Sequence, residues 1–298
     1  MIRESMVSRR YNIVHLVPDE RIHGLYGYRE VIETLEWGLR TLGHEVTQST
    51  NAFASGSTNI ILGFQTMSPQ AVAALPSDTI IYNFEQMAGR KIDELKPSYH
   101  AAARRLRVWE YSERNMESWQ RLKPAFSVIH VPVGWAPILA RIPKDVDQDI
   151  EVLFYGFPGL ARLTIFNELC RQGVRSLFVC GLYGKSRDEL IARSKLVLNV
   201  NLYDRSRIFE VVRVSYLLAN SKAVVADARP DTFVESDLRD ALAFEPPERI
   251  TARCLALLED DGARLRLAEH GQEVIRKRDI RAILSRALDI TDSLPVDA

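Results

Sequence analysis

The chain has 298 residues, 46% of them hydrophobic and 26% charged, with a formal net charge of zero. That length suits two ordinary domains or one large α/β domain, and the apolar content is ample for a buried core. The balanced charge excludes the basic footprint of a nucleic-acid binder and the cationic stripe of a protein held on an anionic membrane. Three cysteines, Cys170, Cys180 and Cys254, form no closely spaced pair and sit in apolar patterns, which predicts buried free thiols in a reducing compartment. No apolar run has the length of a transmembrane segment, and the one near the start is too short for a signal peptide, so the expected compartment is the cytoplasm.

Residues 12–17 read as a first buried strand, followed by a loop containing His23. Val31, Leu35, Leu39 and Leu42 fall at helical spacing across residues 29–42, and Gly43 supplies a stop. A short strand at 44–47, strands at 60–64 and 79–83 and a helix at 69–75 follow. Candidate strands at 108–109 and 127–131, with helices near 98–106 and 113–122, complete one α/β series. Residues 136–148 contain prolines and alternating acids and read as a linker; Asp145, Asp147 and Asp149 lack the Gly and Glu of a calcium loop and read as solvated.

A second α/β series starts at 150–155, with a helix at 160–171, a strand at 176–180 and a helix at 186–194. It continues through a strand at 196–198, a polar loop at 199–207, a helix beginning near Ile208 and a strand at 223–225. A last strand at 242–244 and three helices, 248–258, 262–277 and 280–292, make a helical C-terminal tail. The expected fold class is α/β, two Rossmann-like domains facing a cleft, over residues 1–135 and 149–298.

Ligands of parallel sheets sit beyond the carboxyl ends of the strands, where helix N-termini present free N–H groups. The loop at 199–207 lies there, with Asn199, Asn201, Tyr203, Arg205 and Arg207. Arg205 and Arg207 either meet a diphosphate or are surface charge. Gly156, Phe157, Pro158 and Gly159 form a tight loop before a helix carrying Arg162, and Gly181 to Gly184 do the same before Lys185. Glu210 and Arg213 either pair on the helix or contact the ligand. In the first series, Glu85 follows an apolar strand, where an acid does little for packing. It is the candidate general base or partner of ligand hydroxyls, and His23 is the other base candidate. Ser112 reads as a helix cap.

Several stretches carry a family likeness. Phe209, Glu210 and Arg213, followed by the run from Leu218 to Val225, resemble the helix and strand of the donor domain of GT-B glycosyltransferases of the bacterial cell-envelope and spore-coat type. Tyr82 to Gln86, Trp109 to Ser112 with Asn115, and Val131 to Gly134 are similar pieces. The pattern departs from many retaining members, which carry two Glu where this chain has Ile208 and Tyr216. The resemblance implies transfer of a sugar from a nucleotide-sugar, without metal or cofactor, to a hydroxyl of an acceptor glycan, lipid or protein in bacterial glycan assembly. No nucleic acid is implied, and peripheral membrane contact is compatible with it. Two other readings stand beside it: a non-catalytic GT-B-like binding module, and a sugar-nucleotide epimerase on similar domains.

Overall fold

The computed structural model describes residues 8–17, 27–202 and 207–295. The chain divides into two compact units, Met1–Ala136 with Asp279–Ala298, and Pro137–Arg278.

Six strands of the first unit pair in parallel: β1 (Arg10–His15), β2 (Glu45–Thr50), β3 (Thr58–Leu62), β4 (Ile80–Asn83), β5 (Arg107–Glu110) and β6 (Ile129–His130). Their order is β2-β1-β3-β4-β5-β6. Four described helices precede the crossing to the second unit: α1 (Arg29–Thr41), α2 (Pro69–Ala73), α3 (Pro97–Ala103) and α4 (Glu113–Arg121). Helix α1 buries Val31, Ile32, Leu35 and Leu39 on one face and ends at Gly43, whose φ of 93° only glycine adopts without strain. The strands read as continuous apolar runs because parallel sheets are covered on both faces. Val14, Ile61, Ile81 and Val108 line one such face, packed by Tyr99 and Trp119 from the helices.

The second unit repeats the design with β7 (Ile150–Tyr155), β8 (Ser176–Val179), β9 (Ser194–Asn199), β10 (Ala223–Asp227) and β11 (Ala243–Glu245), in the order β11-β10-β9-β7-β8. All pairs are parallel. Helices α5 (Leu160–Arg171), α6 (Gly184–Ala192) and α7 (Val211–Ala219) connect them, and α8 (Ile250–Glu259) and α9 (Asp261–Arg276) follow. Strand order reverses between β7 and β9, so a crevice opens at their carboxyl ends, the place where open α/β sheets bind ligands.

Three sequence expectations change. The last helix, α10 (Ile280–Ser293), belongs to the first unit rather than the second. Glycines make room for it: a Cβ at Gly38 would lie 2.6 Å from Leu284, and one at Gly134 2.8 Å from Ile280. Trp109 Nε1 donates to Thr291 Oγ1 at 3.0 Å, and Ile280 N to Trp135 O at 3.1 Å. The two chain crossings are thus side by side, joined by a bridge between Trp135 and Asp279. The first half of the expected linker is packed, not solvated. Asn220 accepts from the amides of Arg141 and Ile142 and donates to Leu139 O, and Leu139 and Ile142 are buried. Cys254 is buried, its thiol pushed up by burial to about 12, whereas Cys170 and Cys180 are exposed. Among the described residues no helix is long and apolar enough to cross a membrane.

Candidate functional site

In the second unit the chemistry gathers where β7 and β9 end. Gly156 leaves β7 with φ of 135°, and a Cβ there would lie 3.1 Å from Arg162 Nη1 and 3.5 Å from both terminal nitrogens of Arg213. One glycine therefore holds open the space that two guanidinium groups share. Arg162, on α5 and 5% exposed, donates to Val200 O and Phe157 O, both at 2.8 Å, so it spans the crevice from β7 to β9. It also lies 5.3 Å over the Phe154 ring. Arg213, in the first turn of α7, rests 5.4 Å over the Tyr155 ring, and its buried Nη1 has no hydrogen-bond partner among the described residues.

Asn199, the last residue of β9, is 1% exposed, and neither its Oδ1 nor its Nδ2 has a partner among the described residues. Beside it, Asp227 at the end of β10 accepts from the amide of Asn201 at 2.8 Å. Burial pushes the Asp227 carboxyl up, while that hydrogen bond and the charges of Arg229 and Arg162 pull it down. Buried polar atoms without partners, as these are among the described residues, are costly to leave in a fold. Together with the N-terminus of α7 they form an anion-receptive end.

In the first unit a second polar group forms at the ends of β4 and β5. Glu110 is fully buried, yet its Oε1 accepts from Ser112 N and Asn115 Nδ2, and its Oε2 from Asn83 Nδ2 and Trp119 Nε1, all within 2.7–2.9 Å. Burial pushes this carboxyl up to about 7 against the four N–H donors that pull it down. The amides it orients hold the next loop. Asn115 Oδ1 accepts from Met87 N and Ala88 N, its Nδ2 donates to Glu85 O, and Asn83 brackets Glu85 at both N and O. The Glu85 carboxylate is half-buried; its Oε1 accepts from Gln65 Nε2 at 3.0 Å and Tyr28 OH at 3.3 Å, leaving Oε2 without a protein partner among the described residues.

No protein-family model matches the sequence. An uncharacterized protein of Acanthamoeba polyphaga mimivirus is 22% identical over 236 residues, 75% of this chain and 80% of its own length. A second mimivirus protein, also uncharacterized, is 24% identical over 61% of this chain and 59% of its own length. Among solved structures, Anabaena HepE in complex with UDP and glucose superposes with a TM-score of 0.63 at 11% identity, covering 95% of this chain and 99% of HepE. An α-glucosyltransferase in complex with UDP and DNA gives 0.57 at 13% identity over 96% of this chain and all of that one. The fold is that of the GT-B glycosyltransferases.

Within this GT-B fold the residues singled out in the sequence separate into groups. Gly156, Arg162, Arg213 and Asn199 converge on the β7/β9 crevice, and Asn201 reaches it through its backbone bond to Asp227. Glu210 occupies the N-cap position of α7, and the Glu210–Arg213 pair is not made. Lys185 is exposed at the second position of α6. Helix α7 starts at Val211 rather than near Ile208, because Ile208 bridges Phe233 and Phe209 N donates to Phe233 O, which keeps this stretch extended. Arg207 therefore stands before the helix, not at its first turn, and its guanidinium pairs with Asp231 at 2.7 Å. Tyr203, Arg205 and His23 lie outside the described residues. Ser112 takes the N-cap position of α4, but its hydroxyl makes no cap bond; its amide binds Glu110 instead.

Glu110 is a buried acid to which the sequence reading gave no role of its own. The signal was an acid inside the apolar strand at 107–110, a place where a charge survives only with several donors around it.

Proposed function

We propose that this chain is a glycosyltransferase that binds a nucleotide-sugar at the β7/β9 crevice of its second unit and transfers the sugar to a hydroxyl of an acceptor held by the first unit. The observation that carries the reading is the pair Arg162 and Arg213 beside Gly156, with no acid paired to Arg213 among the described residues. The fold neighbours crystallised with UDP support the same ligand class.

In this mechanism the two guanidiniums and the N-terminus of α7 take up the negative charge that develops on the diphosphate as the glycosidic bond breaks. Because they are fixed by Val200 O, Phe157 O and the Tyr155 ring before the ligand arrives, little reorganisation is needed at that moment. We assign the cationic role to these arginines and not to a divalent ion. Glu85 Oε2 accepts the acceptor's hydroxyl proton, with Gln65 and Tyr28 fixing the other carboxylate oxygen. Bacterial glycan assembly is the setting we infer for the reaction.

Calorimetry of UDP against the wild type and Arg213→Ala, with and without divalent ions, tests the reading. We expect binding without metal, weakened tenfold or more in the variant, since a charge-assisted hydrogen bond contributes about 1.5–3 kcal/mol. The melting temperature should move little, because among the described residues Arg213 makes no hydrogen bond, only its contact over the Tyr155 ring. Binding only with a divalent ion, or equal affinity of the two proteins, would end the proposal. The alternative of a non-catalytic binding module rests on Ile208 and Tyr216, both buried, at the places of the retaining enzymes' acids. It is the outcome if UDP binds and Glu85→Gln leaves every measured turnover unchanged.

A further inference from the structure

We infer that the first unit carries a shelf for a pyranose ring at the carboxyl ends of β1 and β4, formed by the rings of Phe84 and Tyr28 with Glu85 and Gln65 as hydroxyl partners, and that the acceptor is an uncharged carbohydrate. The word acceptor rests on the glycosyltransferase reading; the shelf does not.

Phe84 immediately follows β4 and is half-buried, although it is a large apolar residue in a loop. It sits among aromatic rings: Tyr82 at 4.2 Å, Tyr28 at 5.5 Å and Tyr111 at 5.6 Å between centroids. Tyr28 in turn meets the His15 ring edge-on at 5.5 Å. Tyr82, Tyr111 and His15 are buried and act as backing, while Phe84 and Tyr28 keep surface. The electron-rich face of an aromatic ring accepts the C–H groups that line one side of a pyranose.

Polar groups accompany these rings: Tyr28, whose ring lies 5.5 Å from that of Phe84, donates to Glu85. Glu85 follows Phe84 in sequence, and one of its oxygens is engaged by Gln65 and Tyr28 while the other has no partner among the described residues. A ring face beside a bidentate-capable carboxylate and an amide matches a molecule with an apolar flank and equatorial hydroxyls. Glu85 makes no ion pair among the described residues, so its negative charge disfavours a phosphate- or carboxylate-bearing acceptor.

The loop is also fixed to a degree that packing alone does not require. The buried Glu110 carboxylate orients Asn83 and Asn115, and these two amides take up the backbone of Glu85, Met87 and Ala88. A buried carboxyl is unfavourable unless hydrogen bonds satisfy it, and here the side chains that do so also fix the four-residue turn. Rigidity reduces the ordering cost of weak ligands such as sugars.

Saturation-transfer NMR with glucose, galactose, N-acetylglucosamine and maltose, set against glucuronate and glucose 6-phosphate, tests the inference on the full chain. We expect signals from at least one neutral sugar, stronger than from the anionic ones. They should fall at least tenfold in Phe84→Ala, be retained in Phe84→Tyr and weaken severalfold in Glu85→Gln, with UDP affinity unchanged in all three. The retained Phe84→Tyr signal guards against a folding defect. No neutral-sugar signal, preference for the anionic sugars, or insensitivity to Phe84→Ala would overturn the shelf. Sugar binding without UDP binding would leave the shelf standing and remove the glycosyltransferase reading.

Discussion

Glu110 allows a quantitative check because its environment opposes two large effects. Its carboxyl is pushed from 4.5 to about 7 by burial. A group whose folded value exceeds its unfolded one binds protons more tightly in the native state. Its contribution to stability is therefore present at acid pH and lost as pH rises through the folded value. Each pH unit of that interval corresponds to about 1.4 kcal/mol. Between about pH 5 and pH 8 the loss attributable to Glu110 comes to about 2–3 kcal/mol. Glu110→Gln abolishes the titration but leaves one amide NH2 facing two N–H donors, so the variant should be less stable overall. The informative quantity is the difference between wild type and variant at the two pH values, in which all other titrating groups cancel. Urea unfolding followed by tryptophan fluorescence reads the relevant unit, since Trp37, Trp109, Trp119 and Trp135 all belong to the first. The wild-type advantage should shrink by about 2–3 kcal/mol on going from about pH 5 to pH 8. An advantage that is constant, or that grows with pH, would mean that the four donors keep Glu110 ionised in acid and that desolvation is not the larger effect.

Other consequences are simpler to test. Glu85→Gln should reduce transfer by about 100-fold or more, leaving UDP affinity in place; loss of both together would contradict the division between the units. Arg207→Ala should change UDP affinity less than twofold and stability by less than about 1 kcal/mol, as expected of a largely exposed ion pair; a tenfold loss of affinity would return this residue to the site. Gly271→Ala places a Cβ 2.5 Å from Ala241 O and 2.8 Å from Leu218 Cδ2, and should destabilise the second unit by about 1–3 kcal/mol in a denaturant titration; a neutral result would show that α9 can shift.

Much of this molecule was legible from apolar patterning. The strands at Ile150–Tyr155 and Ala223–Asp227 are largely hydrophobic, broken only by Glu151 and the terminal Asp227, because both sheet faces are covered, and Gly156 marks the turn that ends β7. The site was read less well where local pattern and tertiary pairing disagree. Ile208 and Phe209 look like the start of an amphipathic helix, but they pair with Phe233, a partner remote in sequence, and the helix begins later. That shift leaves Arg207 four residues ahead of the helix, with Arg213 in its first turn. Glu110 was hidden for a related reason: its four partners come from β4, α4 and the intervening turn, and periodicity does not reveal such convergence. The place of α10 depends on notches at Gly38 and Gly134, which only three-dimensional packing exposes.

That placement of α10 has a consequence for how the protein is made. Synthesis runs from β1 through the whole of the second unit before Ile280–Ser293 emerges, so the earliest segment to leave the ribosome is the last to be completed. Until then the notches beside Leu284 and Ile280 stand open and the Trp109 indole lacks its Thr291 partner. The nascent first unit must wait, exposed, for a piece of itself encoded some 150 residues downstream of its sixth strand, about 10 seconds or more of translation. A ribosome-stalled chain ending at Arg278 should show red-shifted tryptophan emission and faster proteolysis of the first unit than one extended past Ser293; equal resistance would show that the first unit closes without the helix.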